Sequence, residues 1–111
     1  MKKTLSLLAV SAIMTIATAA HAENLIVTNA AYKAQSISVQ VLDKGNVVKE
    51  MCLYPNSMGY MELEKKEYTI RADFNNGFGC SGSVIDRMET YVSMDLDLRA
   101  NIYDNGIQIQ Y

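Results

Sequence analysis

Residues 67–82 read EYTIRADFNNGFGCSG. From Tyr68 to Phe74 every second residue is apolar: Tyr68, Ile70, Ala72 and Phe74 fall on one side, and Thr69, Arg71 and Asp73 on the other. Side chains on a strand alternate faces with period two, so this spacing predicts a strand with one buried face and one wetted face. The second half is a glycine-rich turn carrying Cys80, one of only two cysteines in the chain. Core strand and covalent staple are therefore expected side by side.

The pattern repeats on both sides of this stretch. Asn24–Asn29 holds a short apolar run, and 36–42 alternates, with Ile37, Val39 and Val41 inward and Ser36, Ser38 and Gln40 outward. Asp43-Lys44-Gly45-Asn46 reads as a turn leading into a strand over 47–54, which makes a hairpin. This third strand is awkward. If Cys52 turns inward to form a disulfide, Val48, Glu50 and Tyr54 share its face, while Val47, Met51 and Leu53 face out. An inward Glu50 calls for a bulge near that residue or for partial cover on both faces.

A short strand over 58–63 and the charged turn Glu64-Lys65-Lys66-Glu67 lead back to the opening stretch. Beyond it, 83–90 fits a short strand or a single helical turn. Residues 91–99 alternate again, with Val92, Met94, Leu96 and Leu98 inward and Tyr91, Asp95 and Asp97 outward. Asp104-Asn105-Gly106 suits a type I′ hairpin turn before a last strand ending at Tyr111. Seven or eight short strands without a convincing helix predict a small antiparallel β-sandwich, immunoglobulin-like or transthyretin-like, with a small barrel as the second choice.

One local motif bears on that choice. Leu63, Tyr68, Ile70 and Ala72 are spaced as in the L-x-P-G-x-Y-x-hydrophobic-x-A signature, and the stretch resembles transthyretin-like and related immunoglobulin-like repeats of exported bacterial proteins. Lys65 and Lys66 stand where that signature has Pro and Gly. The resemblance implies a sandwich and carries no activity with it.

The chain opens on Lys2 and Lys3, an apolar run from Leu5 to about Ala20, and Ala20-His21-Ala22, a small-x-small cleavage pattern. This predicts a cleaved secretory signal over 1–22, bacterial in style, and a single mature domain over 23–111 in the periplasm or the medium. The run is short and weakly apolar for a bilayer span, so no membrane span is expected in the mature chain. In that oxidising setting Cys52 and Cys80 are expected to form one disulfide.

Composition then removes whole classes of function. The leader takes two of the ten basic residues and none of the twelve acidic ones, leaving a mature net charge of −4. That balance argues against nucleic-acid binding, which needs a basic stripe, and against docking on anionic lipid. The only histidine, His21, lies in the leader, so the mature chain has no Ser-His or Cys-His pair and no histidine ligand for zinc.

Gly77, Gly79 and Gly82 satisfy G-x-G-x-x-G, but that motif holds a dinucleotide only where it opens a helix in a βαβ unit; here it reads as the tight turn that lets Cys80 reach Cys52. Asp95 and Asp97, about 7 Å apart on one strand face, have a spacing seen in glycosidase carboxylate pairs, and they read instead as ordinary solvated residues. As the start of a calcium loop they fail, because Arg99 and Ala100 occupy positions that need an oxygen ligand and a glycine. No catalytic, cofactor or metal residue is assigned.

What remains is tyrosine, seven residues against no tryptophan. Tyr54, Tyr60, Tyr68 and Tyr111 are expected mostly in the core or at its rim. Tyr91 is expected on the wet face, joined there by Asp95, Asp97, Met51 and Leu53 as a candidate interaction surface. The expected function is a non-enzymatic, exported binding module that recognises a protein through a strand face or edge. An inhibitor or immunity-type protein blocking a cationic enzyme or toxin is the alternative, and a structural subunit completed by strand addition is a third class.

Overall fold

A computed structural model describes residues 22–111. The expected leader, with its histidine, lies outside the described residues except for Ala22. The alternation at 68–74 builds β5 (Glu67–Asn75), one of the two inner strands of a sheet that also contains β2 (Ser36–Asp43), β3 (Asn46–Leu53) and β6 (Val84–Ser93) in the order β3-β2-β5-β6. The second sheet runs β4-β1-β7-β8, from β1 (Ala22–Asn29), β4 (Met58–Glu64), β7 (Leu98–Tyr103) and β8 (Gly106–Gln110). The molecule is a small β-sandwich with one disulfide, Cys52–Cys80. Its pairings are antiparallel except β1 with β7, which is parallel.

The core fills from the inward rows of both sheets. Phe74, Ile70, Ile37, Val39 and Val41 come from one, and Leu25, Val27, Ala100 and Ile102 from the other, all essentially inaccessible to water. Residues 84–93 settle as strand, so the chain leaves the glycine loop into β6 and not into a helix.

Four sequence expectations change. The first concerns β3. Val41 pairs with Lys49 but Leu42 pairs with Val47, so Val48 is an extra, bulged residue that resets which side each β3 residue faces. Met51 and Leu53 lie opposite Val39 and Ile37 and turn inward; Leu53 is buried and Met51 packs partly buried against the core. They are not an exposed patch. Cys52 and Glu50 face out, and the disulfide crosses the outer surface of the sheet, not its interior.

Second, 91–99 is not one strand. β6 ends at Ser93 and β7 begins at Leu98 because the two belong to different sheets and the chain must cross between them. Met94 plugs the core at the crossing, its amide donating to the Lys66 carbonyl at 3.0 Å, while Leu96 is left exposed. Asp95 and Asp97 therefore sit in a turn, not on one strand face.

Third, among the expected core tyrosines only Tyr68 is buried; Tyr54, Tyr60 and Tyr111 are exposed. Fourth, the positive φ angles of a hairpin turn occur at Lys44 and Gly45, at +52° and +86°, and not in the Asp104-Asn105-Gly106 turn. There the Asp104 carboxylate is committed elsewhere, as described below.

Candidate binding surface at the loop end

Strand direction gathers the loops at two ends. The β1–β2, β3–β4, β5–β6 and β7–β8 connections share one end, and the other three connections share the opposite one. The first end carries four exposed aromatic side chains, one from each of its connections or their flanks: Tyr32 (71% exposed), Tyr54, Phe78 (71% exposed) and Tyr103. The rest of these loops is mostly Asn, Ser, Gly and Ala, with sequences such as YPNS and NGFGCSGS. Rigid aromatic rings among small adaptable polar residues are the composition of protein-binding loops.

These loops are held in place. The disulfide ties the β5–β6 loop to Cys52 on the sheet's edge strand. Ser36, fully buried, accepts from the Cys80 amide at 2.9 Å and donates to the Gly77 carbonyl at 2.6 Å, so one hydroxyl clasps both limbs of the loop. Asn76 Oδ1 accepts from the Ser83 amide at 2.9 Å and closes the loop's base.

Within the loop Gly79, Cys80 and Gly82 all have positive φ, at +67°, +59° and +81°. For a cysteine this is a costly conformation, held only because the surroundings over-determine it. The outcome is that Phe78 stands outward with its ring centroid 6.3 Å from that of Tyr54, the planes tilted by 47°.

The neighbouring loops are fixed the same way. Asp104 Oδ1 accepts from the amides of Tyr32 and Lys33 at 2.8 and 3.0 Å, which holds the β1–β2 loop against the β7–β8 turn. Those two amides keep the Asp104 carboxyl below its ordinary pKa, Tyr32 contributing most. Buried Asn29 donates to the Leu53 carbonyl at 3.2 Å, and its backbone accepts from Asn56 at 2.8 Å, joining β1 to the β3–β4 loop. Lys33 pairs with Asp86 at 2.6 Å, with its ammonium 4.8 Å from the Phe74 ring centre, and that ammonium lowers the Asp86 pKa. Both charged side chains carried by these loops, Lys33 and Asp104, are thus engaged.

The residues singled out from sequence lie elsewhere. Tyr91 (82% exposed) stands at the opposite end, beside a shallow groove of about 740 Å³ lined by Leu42, Lys44, Lys66, Thr69 and Ser93. Asp95 and Asp97 occupy the turn at that same end, with Asp95 accepting from Ser93 Oγ at 2.9 Å and Asp97 from the Asn24 amide at 2.7 Å. Asp104 is at the loop end, away from Asp95 and Asp97. Among the described residues no group of three or more His, Cys, Asp or Glu is arranged to hold a metal ion.

Sequence reasoning missed Tyr32, Tyr54, Phe78 and Tyr103 as a set, since they are scattered over 72 positions of chain. The available signal was the Asn, Ser and Gly composition around them. Among the described residues no helix is long and apolar enough to cross a membrane. Comparison with protein-family models, with curated proteins and with solved structures finds no match to this chain.

Proposed function

We propose that this chain is an exported, non-enzymatic binding module that recognises a protein partner through the aromatic loop end of its sandwich. The observation that carries this is the display of Tyr32, Tyr54, Phe78 and Tyr103 on loops held by a disulfide and by hydrogen bonds between loops and sheet, at an end whose charged side chains are already engaged. Interface cores are enriched in aromatic residues and depleted of charge, and a surface ordered beforehand loses less entropy on binding. The loop end supports recognition better than the strand face expected from sequence, where Tyr91 stands as a single exposed ring beside charged side chains of both signs, Asp43, Lys44, Lys66 and Glu67. The disulfide suits an oxidising compartment, the periplasm or the medium.

The inhibitor reading needs an acidic surface for a cationic enzyme. Glu64, Glu67, Asp95 and Asp97 lie at the opposite end, but Lys44, Lys65 and Lys66 interrupt them there, and Lys66 pairs with Asp43 at 2.9 Å. That reading has less support.

A photoreactive phenylalanine analogue at position 78 or at position 91, introduced into the exported protein in cells, tests the proposal. Crosslinks to one protein from position 78 and not from 91 are expected. Crosslinks from 91 alone would move recognition to the strand-face groove and overturn the loop-end reading.

A further inference from the structure

The outer faces of the two sheets differ in kind. On the β3-β2-β5-β6 sheet the polar side chains bond one another. Arg87 clamps Asp73 through two hydrogen bonds of 2.6 and 3.0 Å, Gln40 donates to Asp73 and to Ser38, Ser38 donates to Glu50, and Arg71 bridges Gln40 and Glu89. This face is an internally satisfied lattice that stiffens the sheet.

On the β4-β1-β7-β8 sheet the register sets out comparable rows: Met58, Thr28, Asn101 and Gln108 in one, and Tyr60, Ile26, Arg99 and Gln110 in the next. Among the described residues none of these side chains makes a hydrogen bond or ion pair to another. Thr28 Oγ1 is, among the described residues, the one buried side-chain polar atom without a partner.

Two adjoining hollows of about 330 and 250 Å³ share Ile26 and Asp97 and run across this face. Tyr60 stands exposed at one side of the pair, and Tyr111 (80% exposed) at the other. Tyr60 and Gln110 are separated by three interstrand steps, about 14 Å at ~4.8 Å per step.

We propose that this face binds a neutral oligosaccharide, independently of the loop end. A sugar ring offers an apolar C–H face and a rim of hydroxyls that both donate and accept. Tyr60 and Tyr111 supply rings for the first, and the carboxamides of Asn101, Gln108 and Gln110 both donate and accept for the second. Charge selects within the class: Arg99 is outnumbered by Glu62 and Asp97, which disfavours anionic glycans. The span of the hollows calls for several sugar units, not a monosaccharide.

The test is titration of the isotope-labelled mature protein with maltohexaose, cellohexaose and chitohexaose, followed by NMR, with a heparin oligosaccharide as the anionic comparison. At least one neutral hexasaccharide is expected to shift amides of β1, β4 and β7. Tyr60→Ala and Arg99→Ala should each weaken that Kd about tenfold, while Phe78→Ala and Tyr91→Ala leave it within about twofold. Sedimentation of the unliganded protein should be the same for all four variants. The proposal is overturned if none of the neutral hexasaccharides binds, if heparin alone binds, or if Tyr60→Ala and Arg99→Ala leave the Kd unchanged. It is also overturned if these two variants instead dissolve a dimer, which would make a second copy of the chain the occupant. None of these outcomes bears on the loop end, because Phe78 lies outside this face.

Discussion

Ser36 Oγ accepts a hydrogen bond from the Cys80 amide at 2.9 Å across 44 residues of chain, and donates at 2.6 Å to the Gly77 carbonyl. The hydroxyl is therefore the buried clasp of the loop that carries Phe78. Ser36→Ala leaves two part-buried backbone groups without partners, and a loss of about 1–2 kcal/mol is expected. For a domain of this size the Tm should fall by about 5–10 °C. An unchanged melting curve would remove Ser36 from the account of the loop.

The disulfide closes a span of 28 residues. Constraining the unfolded chain by that closure is worth about 3.5 kcal/mol in the entropic model. Cys80→Ser should lower the Tm by more than Ser36→Ala does. NMR contacts between the Phe78 and Tyr54 rings should vanish as well, since the positive φ at Cys80 is no longer enforced. Retention of both the Tm and the ring contacts would mean that hydrogen bonds alone hold the loop.

Asp104→Ala removes the acceptor for two amides of the β1–β2 loop. Amide hydrogen exchange at Tyr32 and Lys33 should quicken while exchange in β2 and β5 stays slow, because the sheet core does not depend on this side chain. Equal exchange rates in the variant and the wild type would show that the loop is ordered by other contacts.

Asp73, Asp86 and Asp104 all have pKa values lowered from the ordinary 3.8: Asp73 chiefly by the Arg87 guanidinium, Asp86 by the Lys33 ammonium, and Asp104 by the Tyr32 and Lys33 amides. The unfolded chain takes up protons at these sites before the folded one does. Their contribution is thus fully present above that ordinary value and fades as pH falls below it toward the folded values. Asp73→Asn should cost stability at pH 7, and the Tm gap to wild type should narrow as pH drops below about 4. A gap of constant size down to pH 2 would show that the Asp73 carboxylate gains nothing from Arg87.

Much of the fold was legible because period-two alternation is a direct consequence of strand geometry. It located β2, β5 and the inner row of the sheet from Ile37, Val39, Val41, Ile70 and Phe74. It failed where geometry depends on a single unpaired residue. Val48 bulges, the parity of β3 reverses, and Met51 and Leu53 pass from the expected exposed patch into the core side of the sheet. It also failed at Met94–Asp97, where alternation continues in sequence although the chain is leaving one sheet for the other. The pairing of Cys52 with Cys80 was readable from the cysteine count and the expected compartment, but its route over the outer surface was not. The aromatic loop end was hidden for a different reason: the even number of strand reversals between its loops is what brings Tyr32, Tyr54, Phe78 and Tyr103 together, and that is a property of topology.

The measurement that bears most directly on the proposed role is the Kd of the crosslinked partner, once purified, for wild type, Phe78→Ala and Tyr91→Ala. Truncating an anchor at the centre of an interface typically costs 2 kcal/mol or more, so Phe78→Ala is expected to weaken binding about 30-fold or more, with Tyr91→Ala indistinguishable from wild type. Wild-type affinity in Phe78→Ala together with a loss in Tyr91→Ala would contradict the loop-end account.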